Sequence, residues 1–265
     1  MNLLKPMFFV AVACSHSLFA AGPTNWQEAV KTSSLISKGP TINPMVITYT
    51  PDGHWAYILT SGSNNVTVYD LTTNTLTNVS IAVGTTPVDI AVTPNGTTVY
   101  TVNSGSNNVS VIDVATNTVT GTISVGHNPQ GIAIAPNGLL AYVVNEGDNT
   151  ASIINLGTNV VTGSPIALGT SPSDISITPN GNYAYVTNTG SNNISIITLS
   201  NNTVGSSISV DTNPDRIFIT KDGKYALVGY EGSTMATKII LSNNSVSGPS
   251  FDVGLQLQSL FMRNP

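Results

Sequence analysis

Charge is what this chain has least of: Asp, Glu, Lys and Arg make up 8% of its 265 residues, against roughly 25% in an average soluble protein. Cations are scarcer still, with 8 Lys and Arg against 13 Asp and Glu. There is no basic stripe to neutralise a phosphate backbone, so general nucleic-acid binding is not expected. Cysteine is reduced to Cys14, so the mature fold can hold no internal disulfide and no thiolate metal cage. Of the three histidines, His16 falls in an N-terminal leader, and His54 and His127 fall in turns at opposite ends of the strands, too far apart to share a metal. No CxxCH, no GxSxG elbow and no lysine-bearing phosphate loop is present, which removes covalent haem, the hydrolase nucleophile and the P-loop. Ser and Thr abound, but an activated hydroxyl needs a base within reach and a third group to orient it. No catalytic residue is assigned, and metal ligands are left undefined.

What the chain does have is repetition. Tyr57, Tyr100, Tyr142 and Tyr185 follow one another at 43, 42 and 43 residues, and Leu227 takes the next place after 42. Gly53, Gly96, Gly138, Gly181 and Gly223 keep the same step, as do Pro44, Pro87, Pro129, Pro172 and Pro214. Within the unit around residues 97–138, the runs YTVN, VSVID, TVTGTISV and GIAIA alternate apolar and small polar residues, the period-2 pattern of strands. Their connections, SGSNN, ATNT, GHNP and PNG, are turn chemistry. Four strands every 42 to 43 residues predict an all-β propeller of four-stranded antiparallel blades. Five quartets are expected, over 45–83, 88–125, 131–168, 173–210 and 215–253, with a further inner strand over 259–264 and an outermost strand over 33–37. Those partial strands favour a small ring of five to six blades closed by shared terminal strands.

The tetrapeptides YTVN at 100, YVVN at 142 and YVTN at 185, each followed by an SGSNN-like turn, resemble the YVTN β-propeller repeat. The resemblance covers residues 44–265. It implies a secreted, periplasmic or surface-layer type of propeller protein, from a wider superfamily that includes propellers in redox enzymes. The pattern drifts along the chain: LVGY stands at 227, and the place of Asp70 and Asp113 passes to Asn155, Thr198 and Ile240.

Residues 1–21 read as a signal peptide, with Lys5 before the apolar MFFVAVA and a small-residue exit in SLFAA. That run is too short to cross a bilayer as a helix. The alternative leader is lipoprotein-like, in which AVAC offers Cys14 for lipidation and an outer-membrane anchor. Residues 22–43 form an N-terminal extension ahead of the propeller at 44–265.

Strand alternation assigns every turn to one of two faces. The SGSNN turns share a face with the loops that lead into each inner strand, here called the SGSNN face; the PNG turns lie on the other. Carboxylates concentrate on the SGSNN face: Asp89, Asp174, Asp215, Glu146 and Asp148, together with Asp211, Glu231 and Asp252, with Arg216 as their main opponent. Asp89, Asp174 and Arg216 occupy equivalent places at the start of inner strands and are expected beside the channel mouth. This face is the candidate binding site, and its partner should be cationic. Two forms are open: a basic patch on a protein, or Ca²⁺ held by Asp89 and Asp174 with loop carbonyls; no other cofactor is expected. The leading functional expectation is a non-enzymatic exported scaffold binding a protein or cell-envelope component through a turn-built face. A periplasmic enzyme or electron-transfer subunit with a channel-mouth site, and an architectural surface-layer element, are the alternatives.

Overall fold

The computed structural model describes residues 44–60, 62–253 and 262–263, and every regular element among them is a strand. The leader, the extension and the strand expected over 33–37 lie outside those residues. The strands form five antiparallel quartets, the blades of a propeller. The first blade is β1 (Pro44–Tyr49), β2 (Trp55–Thr60), β3 (Asn65–Asp70) and β4 (Thr75–Ala82); the second is β5 (Pro87–Val92), β6 (Thr98–Asn103), β7 (Asn108–Asp113) and β8 (Thr118–Ser124). The third opens with β9 (Pro129–Ile134), β10 (Leu140–Asn145) and β11 (Thr150–Asn155). Its fourth strand is divided into β12 (Val160–Val161) and β13 (Ile166–Ala167), both paired with β11. The fourth blade repeats that plan with β14 (Pro172–Ile177), β15 (Tyr183–Asn188), β16 (Asn193–Thr198), β17 (Thr203–Val204) and β18 (Ile208–Ser209). The fifth follows with β19 (Pro214–Ile219), β20 (Tyr225–Tyr230), β21 (Met235–Ile240), β22 (Ser245–Val246) and β23 (Phe251–Asp252). The inner strands β1, β5, β9, β14 and β19 pack one against the next in that order.

The sequence predicts an unbroken outer strand in every blade, and the structure breaks three of them. At the break in the third blade Gly163 takes φ +69°, and Pro165 has no N–H to give to a ladder. Gly248 at φ +77° and Pro249 do the same in the fifth blade. The C-terminal strand also differs. β24 (Met262–Arg263) pairs in parallel with β1, matching Ile47 to Met262, so it joins the first blade rather than opening a sixth.

The core lies between blades: the second strands are buried at nearly every position, as strands covered on both faces are. Tyr57, Leu59, Val66 and Val68 of the first blade pack against Ile90, Val92, Val99 and Ile112 of the second, all between 0 and 4% exposed. The same arrangement joins each later pair.

Two letters of the tetrapeptide gain distinct tasks. The hydroxyls of Tyr57, Tyr100, Tyr142 and Tyr185 donate to Oδ1 of Asn117, Asn159, Asn202 and Asn244 at 2.7, 2.6, 2.9 and 2.6 Å, each one blade further on. Those asparagines stand in the left-handed region at φ 53 to 56°, where a short amide side chain is tolerated. Asn103, Asn145 and Asn188 instead stay within their own blades, where Nδ2 donates to Ser110, Ser152 and Ser195 at 3.0, 2.9 and 2.9 Å. Leu227 cannot make the tyrosine link.

The turn glycines Gly105, Gly147 and Gly190 are expected on sequence to need positive φ, and they do not: the left-handed residues of those tips are Asn107, Asn149 and Asn192. The glycines are there for close approach. A Cβ on Gly105 would stand 2.8 Å from the hydroxyls of Thr85 and Thr86, and one on Gly147 would stand 3.0 Å from Cβ of His127.

Candidate functional site

The SGSNN face is built by backbone bonds between its two kinds of loop. The amides of Ser104, Glu146, Thr189 and Glu231, each in a turn after the second strand, donate to the carbonyls of Thr86, Asn128, Ser171 and Asn213 in the loops entering the same blades. Neighbouring blades are tied as well: the amides of Asn128, Ser171 and Asn213 donate to Oδ1 of Asn107, Asn149 and Asn192 at 2.8, 2.7 and 2.9 Å. The face is thus a continuous hydrogen-bonded rim.

Asp89 and Asp174, expected beside the channel mouth, lie at the start of their inner strands with their side chains covered. Both are 1% exposed. Asp89 Oδ1 accepts from the amide of Ile90 at 2.8 Å, and its Oδ2 accepts from the amide of Ile132 in the third blade at 2.8 Å. Asp174 accepts from Ile175 at 2.8 Å and from Ile217 of the fifth blade at 3.0 Å. The strands β5, β9, β14 and β19 are the inner edges of their sheets, so their outward amides have no ladder partner, and a buried amide without an acceptor is costly. Asp89 thus covers the second and third blades and Asp174 the fourth and fifth, and a Cβ on Gly131 would stand 3.3 Å from Oδ1 of Asp174. Each carboxylate is turned onto amide donors rather than into a shared cation site.

The other candidates remain on the rim. His127 Nδ1 and Asp148 Oδ1 stand 2.8 Å apart, and the amide of His127 donates to Asp148 Oδ2 at 2.7 Å. That backbone bond, followed by the imidazole, holds the Asp148 carboxyl below its ordinary value. Glu146 Oε2 accepts from Asn128 Nδ2 at 2.7 Å and Gln130 Nε2 at 2.9 Å. Asp215 and Arg216 form a pair at 3.7 Å in the fifth blade, both side chains about one-fifth exposed, at 20 and 21%. Asp211 bonds the hydroxyl of Ser250, which continues through Thr237 to Tyr230. Sequence reading missed the His127–Asp148 contact, although a loop His and a turn Asp 21 residues apart repeat the spacing of the Thr85–Ser106 and Thr170–Ser191 links.

On the PNG face the carboxylates close turns. Asp70 Oδ1 accepts from the amides of Thr72 and Thr73 at 2.8 and 3.0 Å and from the Thr72 hydroxyl, which pulls its pKa down to about 2. Asn155 does the same with Gly157 and Thr158, so the drift from Asp70 to Asn155 preserves the turn cap. Among the described residues no group of three or more His, Cys, Asp or Glu side chains is placed to hold a metal, and no helix is long and apolar enough to cross a membrane.

The sequence profile of the YNCE-like beta-propeller family matches residues 28–248. The chain belongs to that family. A YVTN-type repeat is consistent with the match, and solved propellers resemble this YNCE-like chain in structure. A structure from Kuenenia stuttgartiensis hydrazine synthase superposes with a TM-score of 0.71 and 26% identity, over 83% of this chain and 70% of that one. A functionally unknown protein from Desulfotomaculum acetoxidans DSM 771 gives 0.69 and 19%, over 83% and 74%. A putative 6-phosphogluconolactonase from Bacteroides uniformis ATCC 8492 gives 0.68 and 16%, over 79% and 71%. The last two likenesses concern the fold alone. No curated protein matches the chain.

Proposed function

We propose that this YNCE-like propeller is a non-enzymatic exported scaffold that binds a protein or other cell-envelope component through its SGSNN face. The observation that supports it is the placement of Glu146 and Asp148, carboxylates at the surface whose positions are fixed by Asn128, Gln130 and His127 on a rim of inter-blade bonds. Loops on a rigid scaffold are where recognition residues collect, and fixed charge lowers the ordering cost of association. Asp211, Asp215 and Glu231 extend the acidic surface toward the fifth blade. The partner is cationic at its contact, in the form of a basic protein patch, with Ca²⁺ as the ion to test beside it. Export follows from the leader at 1–21 and delivers the chain to the periplasm, the cell surface or the medium; acylation of Cys14 would instead anchor it as an outer-membrane lipoprotein.

The test is the triple variant Glu146→Gln, Asp148→Asn and Asp215→Asn, compared with the native protein in capture from a native envelope fraction between about 0.05 M and about 0.5 M salt. Native capture is expected to weaken as salt rises, and the variant to capture at low salt no more than the native protein does at high salt. A variant that keeps every partner with unchanged salt dependence contradicts the proposal.

A further inference from the structure

Two clefts between blades are lined in part by residues of the PNG-face turns. One opens between the first and second blades, with a volume of about 350 Å³ and Trp55, Thr97, Asp113 and Asn117 in its walls. The other opens between the fourth and fifth, with about 390 Å³ and Tyr183, Thr198, Ser206, Ser207 and Asn244. In each, the aromatic ring is the first residue of its blade's second strand, Trp55 of β2 or Tyr183 of β15. The amide in each comes from the next blade and already accepts a buried phenol, Tyr57 on Asn117 and Tyr185 on Asn244. With Oδ1 engaged, what Asn117 and Asn244 offer a ligand is their NH₂. His54 stacks on Trp55 at 4.4 Å and 8°, fixing the indole plane, and Tyr183 is 41% exposed. The equivalent places in the second and third blades are Thr98 and Leu140. In the fifth, Tyr225 has the Lys238 ammonium over its ring at 5.2 Å. Among the described blades, an aromatic ring lining such a cleft thus recurs at two places, Trp55 with one face already taken by His54 and Tyr183.

The walls decide the ligand class. Neither cleft is lined by Lys or Arg, so neither suits an anion. Asp113 would favour a cation in the first cleft, but no carboxylate lines the second. What the two share is an aromatic ring beside hydroxyls and an amide donor. A pyranose ring has that complement: a C–H face that packs on an aromatic ring, and hydroxyls around its edge that donate and accept. We propose that both inter-blade clefts bind a neutral saccharide, with Trp55 and Tyr183 as the stacking platforms and Asn117 and Asn244 as hydroxyl-binding amides. This site is independent of the acidic-rim reading and stands or falls without it.

The test is a titration of the purified ¹⁵N-labelled protein with maltotetraose, cellotetraose and chitotetraose, each to about 20 mM. At least one sugar is expected to shift the Trp55 indole N–H and the side-chain amides of Asn117 and Asn244 saturably. Trp55→Ala should abolish the shift at Asn117 and spare Asn244; Tyr183→Ala should do the reverse. Because Trp55 also packs against the core between the first two blades, Trp55→Phe serves as a second variant, which keeps a platform and should weaken binding rather than remove it. Silence toward all three sugars, shifts that survive both alanine variants, or a response to an arginine-rich tetrapeptide without one to sugar overturns the proposal.

Discussion

The amide of Ile217 donates to Oδ2 of Asp174 at 3.0 Å, across the junction between the fourth and fifth blades and 43 residues along the chain. Asp89 makes the same bridge to Ile132 at the junction of the second and third. The places equivalent to these aspartates are Val46, Gly131 and Arg216. Gly131 and Arg216 directly precede the amides that the aspartates cover, and beside Val46 the first blade pairs Ile47 with the C-terminal strand instead. Among the described residues, the two aspartates of this irregular-looking column thus cover the inner-edge amides of four blades, those of Ile90, Ile132, Ile175 and Ile217.

Asp174→Asn should destabilise the protein by about 1–3 kcal/mol, because the new NH₂ opposes an amide donor that then lies buried without an acceptor. Denaturant unfolding measures the loss, and amide exchange at Ile175 or Ile217 should quicken. Unchanged stability and protection would show that the carboxylate is dispensable.

The tyrosine links predict an alkaline limit. Burial raises the Tyr100 and Tyr185 phenols to about 12, above the ordinary value of about 10. A raised folded pKa means that the stabilisation is fully present below pH about 10 and is lost as pH rises toward about 12. Stability measured from pH about 8 to about 11 should decline only above about 10. Tyr100→Phe should lessen that decline while costing about 0.5–1.5 kcal/mol at neutral pH.

The five quartets and their strand order were legible because Tyr57, Tyr100, Tyr142 and Tyr185 mark the same strand in consecutive units, while the partial strands at the ends left the reading at five to six blades. The inter-blade bonds were not. A single repeat read alone shows Asp89 as a polar residue near a loop, and only the packing of neighbouring inner edges reveals that the amides of Ile90 and Ile132 need it. The tyrosine links left a fainter trace: each donor precedes its asparagine by 59 or 60 residues, a spacing longer than one unit. Gly147 was recognised as structural for the wrong reason, since contact distance, unlike turn type, is not written in sequence.

Gly147→Val should lower the melting temperature by several degrees, at about 2–4 °C per kcal/mol for a domain of this size, through its clash with His127. Gly121, whose added Cβ would meet nothing within 4 Å, is the control. Equal melting of Gly147→Val and Gly121→Val would remove the close-approach explanation.

Binding through the acidic SGSNN face is tested most directly by photo-crosslinking from single sites in the native envelope. Reactive side chains placed at Thr170 and Thr212, exposed in loops of that face, are compared with one at Thr122, exposed on the outer strand of the second blade. Salt-sensitive adducts are expected from Thr170 and Thr212, lost with Glu146→Gln and Asp148→Asn, and none from Thr122. Adducts from Thr122 alone, or adducts at the rim indifferent to both salt and the neutralised carboxylates, would contradict it.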